Sequence, residues 1–566
     1  DVTRSRLKNI KLLFFPGVND NCIPKAKGAP GLLTERERER MEKEGVTLAP
    51  DAEKESYNEQ FYLYLALTKA SEQVILTYSV MTSKGESKRP SYLINRVKQV
   101  FPKLVAEKEE SDTSYEKIMG SDKGKSYLIS HLADGTYAKD VIWWEIASHY
   151  EKKTPGILKD LLRIREKRAG NNSLKKEAAK RLFGDVLYGS VTRFEQYVQC
   201  PFAFFAHYGL LLNERQQYEI SSLDHGNLFH QAMEHLSHEL EQRNKNWQDL
   251  SEEEAVLLAA ECVDAVAERY QGRKYFQSNR VSFMLKRLKN EVVHSVWAMW
   301  HQMQEGDFVQ TYTEKGFRGS DKEWESMCIP FGEDAKICLN GVIDRVDLCS
   351  LPGEELIKII DYKSSDSQDL SLAKVYYGLQ MQLLTYLEAA KEMVEKEHKG
   401  KEAVPAAMLY YAIKEKNLDW KPESEEEYEK RVLDSMKCKG YVNEEPEIIG
   451  HLDKSVVNGG ELIPGQKSGV VPVAVDKKGL LKKNSGTLST KDFETLIAHT
   501  KEKMKECGKA ILDGKIEAIP YVYEDNDGCT YCPYGSVCGH ESKKDGVREM
   551  KKMSDDEVWE ALYGDD

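Results

Sequence analysis

Two apolar runs, each carrying carboxylates, most constrain what this chain can fold into. The first is Gly341-Val-Ile-Asp344-Arg-Val-Asp347, and the second is Ile357-Lys-Ile-Ile-Asp361-Tyr-Lys363-Ser-Ser. Their β-branched residues predict paired strands with a buried face. A carboxylate on such a strand is costly to bury unless it is paired or metal-bound. Asp361 and Lys363 stand two apart, so a strand turns both to the same side. A neighbouring strand bearing Asp344 would set a second carboxylate beside Asp361. Hard oxygen ligands of this kind suit Mg²⁺ or Mn²⁺. An ammonium beside them would hold a water or a scissile phosphate. Asp347 is expected to pair with Arg345 or cap its strand rather than bind metal. Taken alone, an Asp-x-Lys is more often a strand end with a surface ion pair, so its neighbourhood decides.

Upstream, Gly226-Asn-Leu-Phe-His230 puts an imidazole on a helix predicted over 226–243, and imidazole can complete a metal shell. Downstream, Gln382 and Tyr386 are four apart on one face of a helix predicted over 372–396. Gln380 is nearby but lacks the tyrosine spacing. In this order the elements resemble the RecB-like branch of the PD-(D/E)XK nucleases. That family's pattern is a helix His, an Asp in Gly-x-x-Asp-Arg, an Asp-x-Lys and a Gln-x-x-x-Tyr helix. The resemblance implies an α/β restriction-endonuclease-like domain over 190–545. It also implies that His230, Asp344 and Asp361 bind Mg²⁺ (or Mn²⁺), with the Ile360 carbonyl or the backbone that follows it as a further ligand. Lys363 would orient or activate the attacking water, and Gln382 and Tyr386 would position the site and the DNA backbone. The implied chemistry is phosphodiester hydrolysis, in which the ion lowers the pKa of its water and clamps phosphate oxygens.

The chain has eleven cysteines and opens without an apolar secretory leader. The count and the opening read as a reducing, cytoplasmic compartment, where a disulfide framework is a poor expectation. Cys529-Thr-Tyr-Cys532-Pro-Tyr-Gly-Ser-Val-Cys538 brings three thiols close enough to be metal candidates, with zinc the default from the residues alone. Cys200-Pro-Phe stands far upstream, just before the nuclease-like region. A distant first cysteine followed by this trio resembles the iron–sulfur staple of RecB-like nucleases. The resemblance implies a [4Fe–4S] cluster on Cys200, Cys529, Cys532 and Cys538 that ties the two ends of the domain together. Such a tie gains from chain entropy, with a slow dependence on loop length. Cys22, Cys262, Cys328, Cys338, Cys349, Cys438 and Cys507 read as scattered small residues.

Near the start, residues 10–24 read as a strand and a Gly/Pro turn, 34–44 as a solvated Glu/Arg-rich helix, 55–70 as a helix and 73–79 as a strand. This order suits a parallel α/β layer. The run from Phe61 to Tyr78 resembles motif VI of superfamily 1 helicases, with Lys69 where that motif carries Arg. Lysine lacks the planar fork of Arg. The resemblance implies a degenerate helicase-like (RecA-like) remnant over 1–100, followed by a helical connecting region over 101–189. Gly120-Ser-Asp-Lys-Gly124-Lys-Ser is one residue short between its glycines for a phosphate-binding loop and follows no apolar strand. No ATP motor is expected from this chain alone. Residues 420–490 read as a polar surface excursion, and 546–566 as a C-terminal tail.

The whole order resembles the AddB family of helicase–nuclease subunits. That implies a DNA exonuclease subunit that resects double-strand DNA ends for recombinational repair, cutting the 5′-terminated strand. It implies an AddA-like helicase–nuclease subunit as heterodimer partner. A free-standing RecB-like single-strand exonuclease and a DNA-binding scaffold with a decayed site are the rival readings. At 566 residues the length suggests about four domains on a prior of roughly 150 residues each. With the resemblance, and without an initiator Met, it reads instead as the C-terminal part of a longer subunit. No run of about 18 uncharged apolar residues predicts a membrane span. The net charge of −13 argues against a uniformly basic coat, so DNA is expected in a local channel.

Overall fold

The computed structural model of the chain describes residues 8–20, 22–23, 35–47, 52–81, 87–107, 121–134, 137, 140–168, 173–213, 222–271, 279–318, 324–332, 335–363, 369–413, 424–524, 526–540 and 546–564. The chain forms two compact units, Asp1–Lys167 and Arg168–Asp566.

In the first unit, β1 (Ile10–Phe15) pairs in parallel with β2 (Ala70–Leu76). Two helices lie between them in sequence, α1 (Glu35–Lys43) and α2 (Ala52–Leu67). Parallel strands need such a crossover. Further on, α3 (Ser121–Asp134) contains Gly124, so that end of the run resembling a phosphate loop is helical. Gly120 lies outside the described residues. A separate small core of Leu128, Leu132, Trp143, Ala147 and Tyr150 holds this region, with Trp143 Nε1 donating to the Leu128 carbonyl at 2.9 Å.

The second unit is built on a six-stranded mixed sheet. Its elements in chain order are β3 (Val186–Gly189), α4 (Val191–Gln199), α5 (Ser222–Gln242), α6 (Glu252–Gln271), α7 (Asn279–Gln304), β4 (Val309–Gly316), β5 (Met327–Pro330), β6 (Lys336–Leu339), β7 (Val342–Ser350), β8 (Glu354–Lys363), α8 (Gln382–Glu397), β9 (Glu402–Ala412), β10 (Lys439–Asn443), β11 (Thr487–Leu488) and α9 (Thr490–Leu512). The main sheet runs β11-β10-β9-β8-β7-β4, and β3-β6-β5 form a smaller one. β8 and β9 are parallel, with α8 in the crossover, while β7 is antiparallel to both β4 and β8.

Alternation along β7 and β8 divides two cores. Val346, Leu348, Ile357 and Ile359 pack with Leu383, Leu387, Phe493 and Leu496 of α8 and α9. Ile360 and Tyr362 pack with Phe229, Met233, Val296 and Met299 of α5 and α7. The second side also buries Arg345, Asp347 and Lys358. Arg345 Nε donates to Asp347 Oδ1 at 2.7 Å, and Lys358 Nζ lies 2.8 Å from Asp347 Oδ2. The Arg345 guanidinium sits over Trp247 at 5.5 Å. Asp347 thus pairs with Arg345, as its place in the sequence suggests.

Several elements differ from the expectations. The helix expected over 372–396 is two, Leu372–Tyr376 and Gln382–Glu397, separated at Gly378, whose φ of 78° favours glycine. The region read as a surface excursion is structural: β10 and β11 extend the main sheet, and Val470, Val471 and Val473 join its core. Cys328 and Cys338 are not isolated; they face each other across β5 and β6 and form a disulfide. The segment read as a tail folds back: Arg548–Glu549 pairs with Tyr521–Tyr523, and Val558 of the helix Asp555–Tyr563 is fully buried. No helix among the described residues is long and apolar enough to cross a membrane.

Candidate active site

The register of the main sheet sets the geometry of the site. Arg345 on β7 pairs with Ile360 on β8, so the next step along puts Asp344 opposite Asp361. On β4, Thr313 pairs with Arg345 and Lys315 with Ile343, which leaves Glu314 opposite Asp344. Asp361 in turn pairs with Tyr410 on β9. Three carboxylates therefore occupy one row across three adjacent strands, at about 4.8 Å per strand. From α5, His230 Nδ1 reaches 2.9 Å from Glu314 Oε1 and 3.6 Å from Asp344 Oδ1. Glu314 holds a φ of 45°, a left-handed conformation unusual for a non-glycine residue and common where function demands strain.

Beside the carboxylates lies a hydrogen-bonded set built from β8 and α8. Lys363 Nζ is 2.6 Å from Asp361 Oδ2 and donates to Gln382 Oε1 at 3.0 Å. Gln382 Nε2 donates to Asp361 Oδ1 at 3.1 Å and to the Tyr386 hydroxyl at 2.9 Å. Gln382 opens α8 and Tyr386 is one turn on, so both aim at the row from the positive end of the helix. Gln380 takes a different part: it accepts from Ser371 N–H at 3.0 Å and donates to the Asp369 carbonyl, clipping the preceding loop.

The electrostatics of this cluster favour a cation. Asp344 and Asp361 are 8% and 2% exposed. Burial, and then the charge of Asp361, pushes the Asp344 carboxyl well above the usual carboxylate range. Burial also raises Asp361, against the opposing pull of Lys363. Burial pulls the His230 imidazole down, but the Glu314 hydrogen bond and the Asp344 charge together hold it above its ordinary value. Asp361 Oδ2 is buried, with the Lys363 ammonium 2.6 Å away as its ionic partner. With all three carboxylates ionised, one ammonium and one imidazolium would leave one negative charge for a cation to meet, and the oxygen-rich donor set fits Mg²⁺ or Mn²⁺. His230, Glu314 and Asp344 have donor atoms within 4.8 Å of one another.

Two residues of this constellation carry no mark in the sequence motifs. Glu314 sits in an ordinary strand, and only the register brings it to His230. Glu195 on α4 is the other. Burial raises its carboxyl to about 7, and it accepts the Met381 N–H at 2.6 Å, capping the start of α8 next to Lys363 and Asp361. The one signal for Glu195 is its place just over a turn before Cys200, in a segment whose aromatic residues dominate the pattern.

The four proposed cluster cysteines lie in one neighbourhood. Cys200 ends α4 and is buried, while Cys529, Cys532 and Cys538 are half-buried, and all four are free thiols. Burial, then Asp527, then the other three cysteines push the Cys529 thiol up to about 11. The C-terminal segment is tied to the α4 region by the Tyr534 hydroxyl, which donates to the Leu212 carbonyl at 3.0 Å and meets His207 Nδ1 at 2.9 Å. Arg548 adds a hydrogen bond to the Val198 carbonyl. Thiolates gathered this way repel one another, and a soft metal centre would relieve them.

Residues 189–539 match the profile of the PD-(D/E)XK nuclease superfamily. The chain is similar to the B subunit of the ATP-dependent helicase/deoxyribonuclease of Lachnoclostridium phytofermentans, with 34% identity over 575 residues, covering 100% of the chain and 48% of that protein. The protein of the same name from Clostridium perfringens (strain 13 / Type A) is 32% identical over 584 residues, covering 99% and 49%. That from Alkaliphilus oremlandii is 29% identical over 571 residues, with the same coverage of 99% and 49%. The chain spans about half the length of these curated relatives. The superfamily profile takes in the row of carboxylates, the Asp361–Lys363 pair and the Gln382–Tyr386 turn together, and on that match the chain belongs to the PD-(D/E)XK nuclease superfamily.

Proposed function

We propose that the chain is the nuclease-bearing part of a helicase–nuclease subunit and hydrolyses DNA phosphodiester bonds with Mg²⁺ or Mn²⁺. One observation carries this reading: Asp344 stands opposite Asp361, with Lys363 bonded into the same cluster through Gln382. His230, Glu314, Asp344 and Asp361 would hold the metal. When bound, the ion makes its water a better nucleophile and neutralises charge developing on the phosphate oxygens. Lys363, braced between Asp361 and Gln382, orients the attacking water and offers its charge to the phosphate. Tyr386 fixes the Gln382 amide so that its oxygen faces Lys363 and its nitrogen faces Asp361.

The printed names of the relatives support a subunit that works beside another. We read that partner as an AddA-like helicase–nuclease in a heterodimer. The task would be resection of double-strand DNA ends for recombinational repair, with this chain cutting the 5′-terminated strand in the cytoplasm. The parallel β1–β2 pair and the Lys69 segment support a helicase-like remnant in the first unit. The convergence of Cys200, Cys529, Cys532 and Cys538 supports a [4Fe–4S] staple.

The test is cleavage of labelled single-stranded DNA by the purified chain, alone and with its co-purified partner, in Mg²⁺, in Mn²⁺ and in EDTA. Metal-dependent cleavage that is lost in Lys363→Ala is expected. No cleavage with either metal, alone or with partner, would return the chain to a DNA-binding scaffold. Full activity with no co-purifying helicase would favour a free-standing exonuclease.

A further inference from the structure

The helix that carries Gln382 starts without a cap of its own. Met381 precedes α8 in a helical conformation, φ −109° and ψ −10°, and its thioether makes no cap hydrogen bond to the free N–H groups of the first turn. The turn leading in is close to α4: a Cβ on Gly378 would meet Val198 Cγ2 at 3.3 Å. From that distance α4 supplies the missing acceptor. Glu195 Oε1 accepts the Met381 N–H at 2.6 Å, and the same carboxyl takes the backbone N–H of Gln382. Gln382 is the residue whose side-chain amide joins Lys363 to Asp361.

Glu195 is itself held in place. Just beyond it on α4, the Tyr197 hydroxyl donates to the Lys515 carbonyl at 3.0 Å, and Arg548 bonds to the Val198 carbonyl. Gly528 packs on the Gln199 carbonyl so closely that a Cβ would lie 3.0 Å from its oxygen. The carboxyl of Glu195 is not part of the His230, Glu314 and Asp344 set. Burial lifts it to about 7, so near neutral pH it is charged only part of the time. In either form it gives the backbone of α8 an oxygen acceptor. Lys363 depends on that support. Its ammonium rides on a flexible four-carbon stem and is fixed by Asp361, by Gln382 and by the Tyr410 ring 5.3 Å away. Asp361 is set by its strand, whereas the place of the Gln382 amide is set by the first turn of α8.

We propose that Glu195 is a positioning residue of the nuclease centre, holding the first turn of α8 so that the Gln382 amide keeps Lys363 on the attacking water. This rests on the nuclease reading above. Glu195 touches neither DNA nor the ion; it acts through Gln382. Its loss therefore slows the chemical step and leaves DNA affinity alone.

The test is single-turnover cleavage of a labelled single-stranded oligonucleotide in Mg²⁺ by the full chain with its co-purified partner. DNA concentration is varied, the Lys363→Ala complex gives the background, and the temperature is kept well below each melting point. Glu195→Ala should lower the maximal rate by about 10- to 100-fold, the scale of an ångström-sized misplacement, with the half-saturating DNA concentration unchanged. Glu195→Gln keeps an oxygen acceptor and should stay within about threefold of wild type, since hydrogen bonds between neutral groups suffice here. In a Gln382→Ala background Glu195→Ala should cost little more, because the two act as one unit. Should Glu195→Ala melt below the assay temperature, Glu195→Asp takes its place: one methylene shorter, it should slow the maximal rate by about tenfold. A wild-type rate in the folded Ala or Asp variant would overturn the proposal. So would a Gln variant as slow as Ala, which would give the carboxylate a direct part in the chemistry, or losses that multiply in the double variant. If the wild type shows no cleavage that depends on Lys363, the nuclease reading fails. If it does and the Glu195 variants match it, only the positioning role fails.

Discussion

Asp344→Asn separates the cost of the site to the fold from its value to catalysis. The Asp344 carboxylate is buried between Glu314 and Asp361. Its compensating neighbours are His230 at 3.6 Å and the Tyr362 N–H, which it accepts at 2.7 Å through Oδ2. Its folded pKa lies well above the unfolded 3.8, so the folded chain prefers the neutral form. Stability therefore falls as pH rises through the unfolded value toward the folded one, and the full penalty is felt only above the folded value. Asparagine keeps an oxygen for the Tyr362 N–H and removes the charge. Replacing a poorly compensated buried charge gains about 1–4 kcal/mol. At roughly 2 °C per kcal/mol for a large domain, Tm in EDTA should rise by roughly 2–8 °C. Mg²⁺ should narrow this gap. The wild type gains about 2.7 kcal/mol at a hundredfold excess over Kd, and the variant gains less because it has lost a ligand. Differential scanning calorimetry of both proteins, in EDTA and in Mg²⁺, reads this directly. A variant that melts below wild type in EDTA, or a wild-type Tm that Mg²⁺ does not move, would refute the reasoning.

Asp347→Ala strands Arg345 and Lys358 without their shared carboxylate in the interior. It should cost about 3–5 kcal/mol, read as a lowered urea midpoint. Glu195 has a folded pKa of about 7 against an ordinary 4.5, so wild-type stability should fall as pH rises between those values. That fall is up to about 3 kcal/mol for a shift of this size, and Glu195→Gln should flatten it in denaturation curves taken across the window. Anaerobically purified protein should be coloured and iron-loaded, and Cys532→Ser should lose both colour and iron. A colourless, zinc-loaded wild type would contradict the iron–sulfur staple.

The parts of the site that lie in dense local pattern are legible from the amino-acid order alone. Asp361 and Lys363 two apart on a strand, and Gln382 and Tyr386 four apart on a helix, announce a shared face through elementary periodicity. What the sequence hides is register. Glu314 meets His230 only because β4 pairs with β7 at one particular offset, and its left-handed backbone leaves no compositional trace. Glu195 is similar: its partner Met381 is far away in sequence, and only the packing of α4 beside the start of α8 joins them. The region 420–490 misleads for another reason. Its lysines, glutamates and glycines set the composition, while the residues that make it core, among them Val432, Ile448, Ile449, Leu452 and Val470, are spread thinly between them. Cys328 and Cys338 read as scattered because a ten-residue separation says nothing until β5 and β6 are seen to be paired.

The central claim is that the carboxylate row cuts DNA, and strand-labelled DNA-end degradation by wild type and Asp361→Ala tests it most directly. Both proteins should be assayed in Mg²⁺ beside the co-purified helicase partner, with melting curves as a check on the fold. Wild type should degrade the 5′-terminated strand, and an Asp361→Ala protein that still folds should lose that cleavage. A folded Asp361→Ala protein that degrades the strand at the wild-type rate would contradict it.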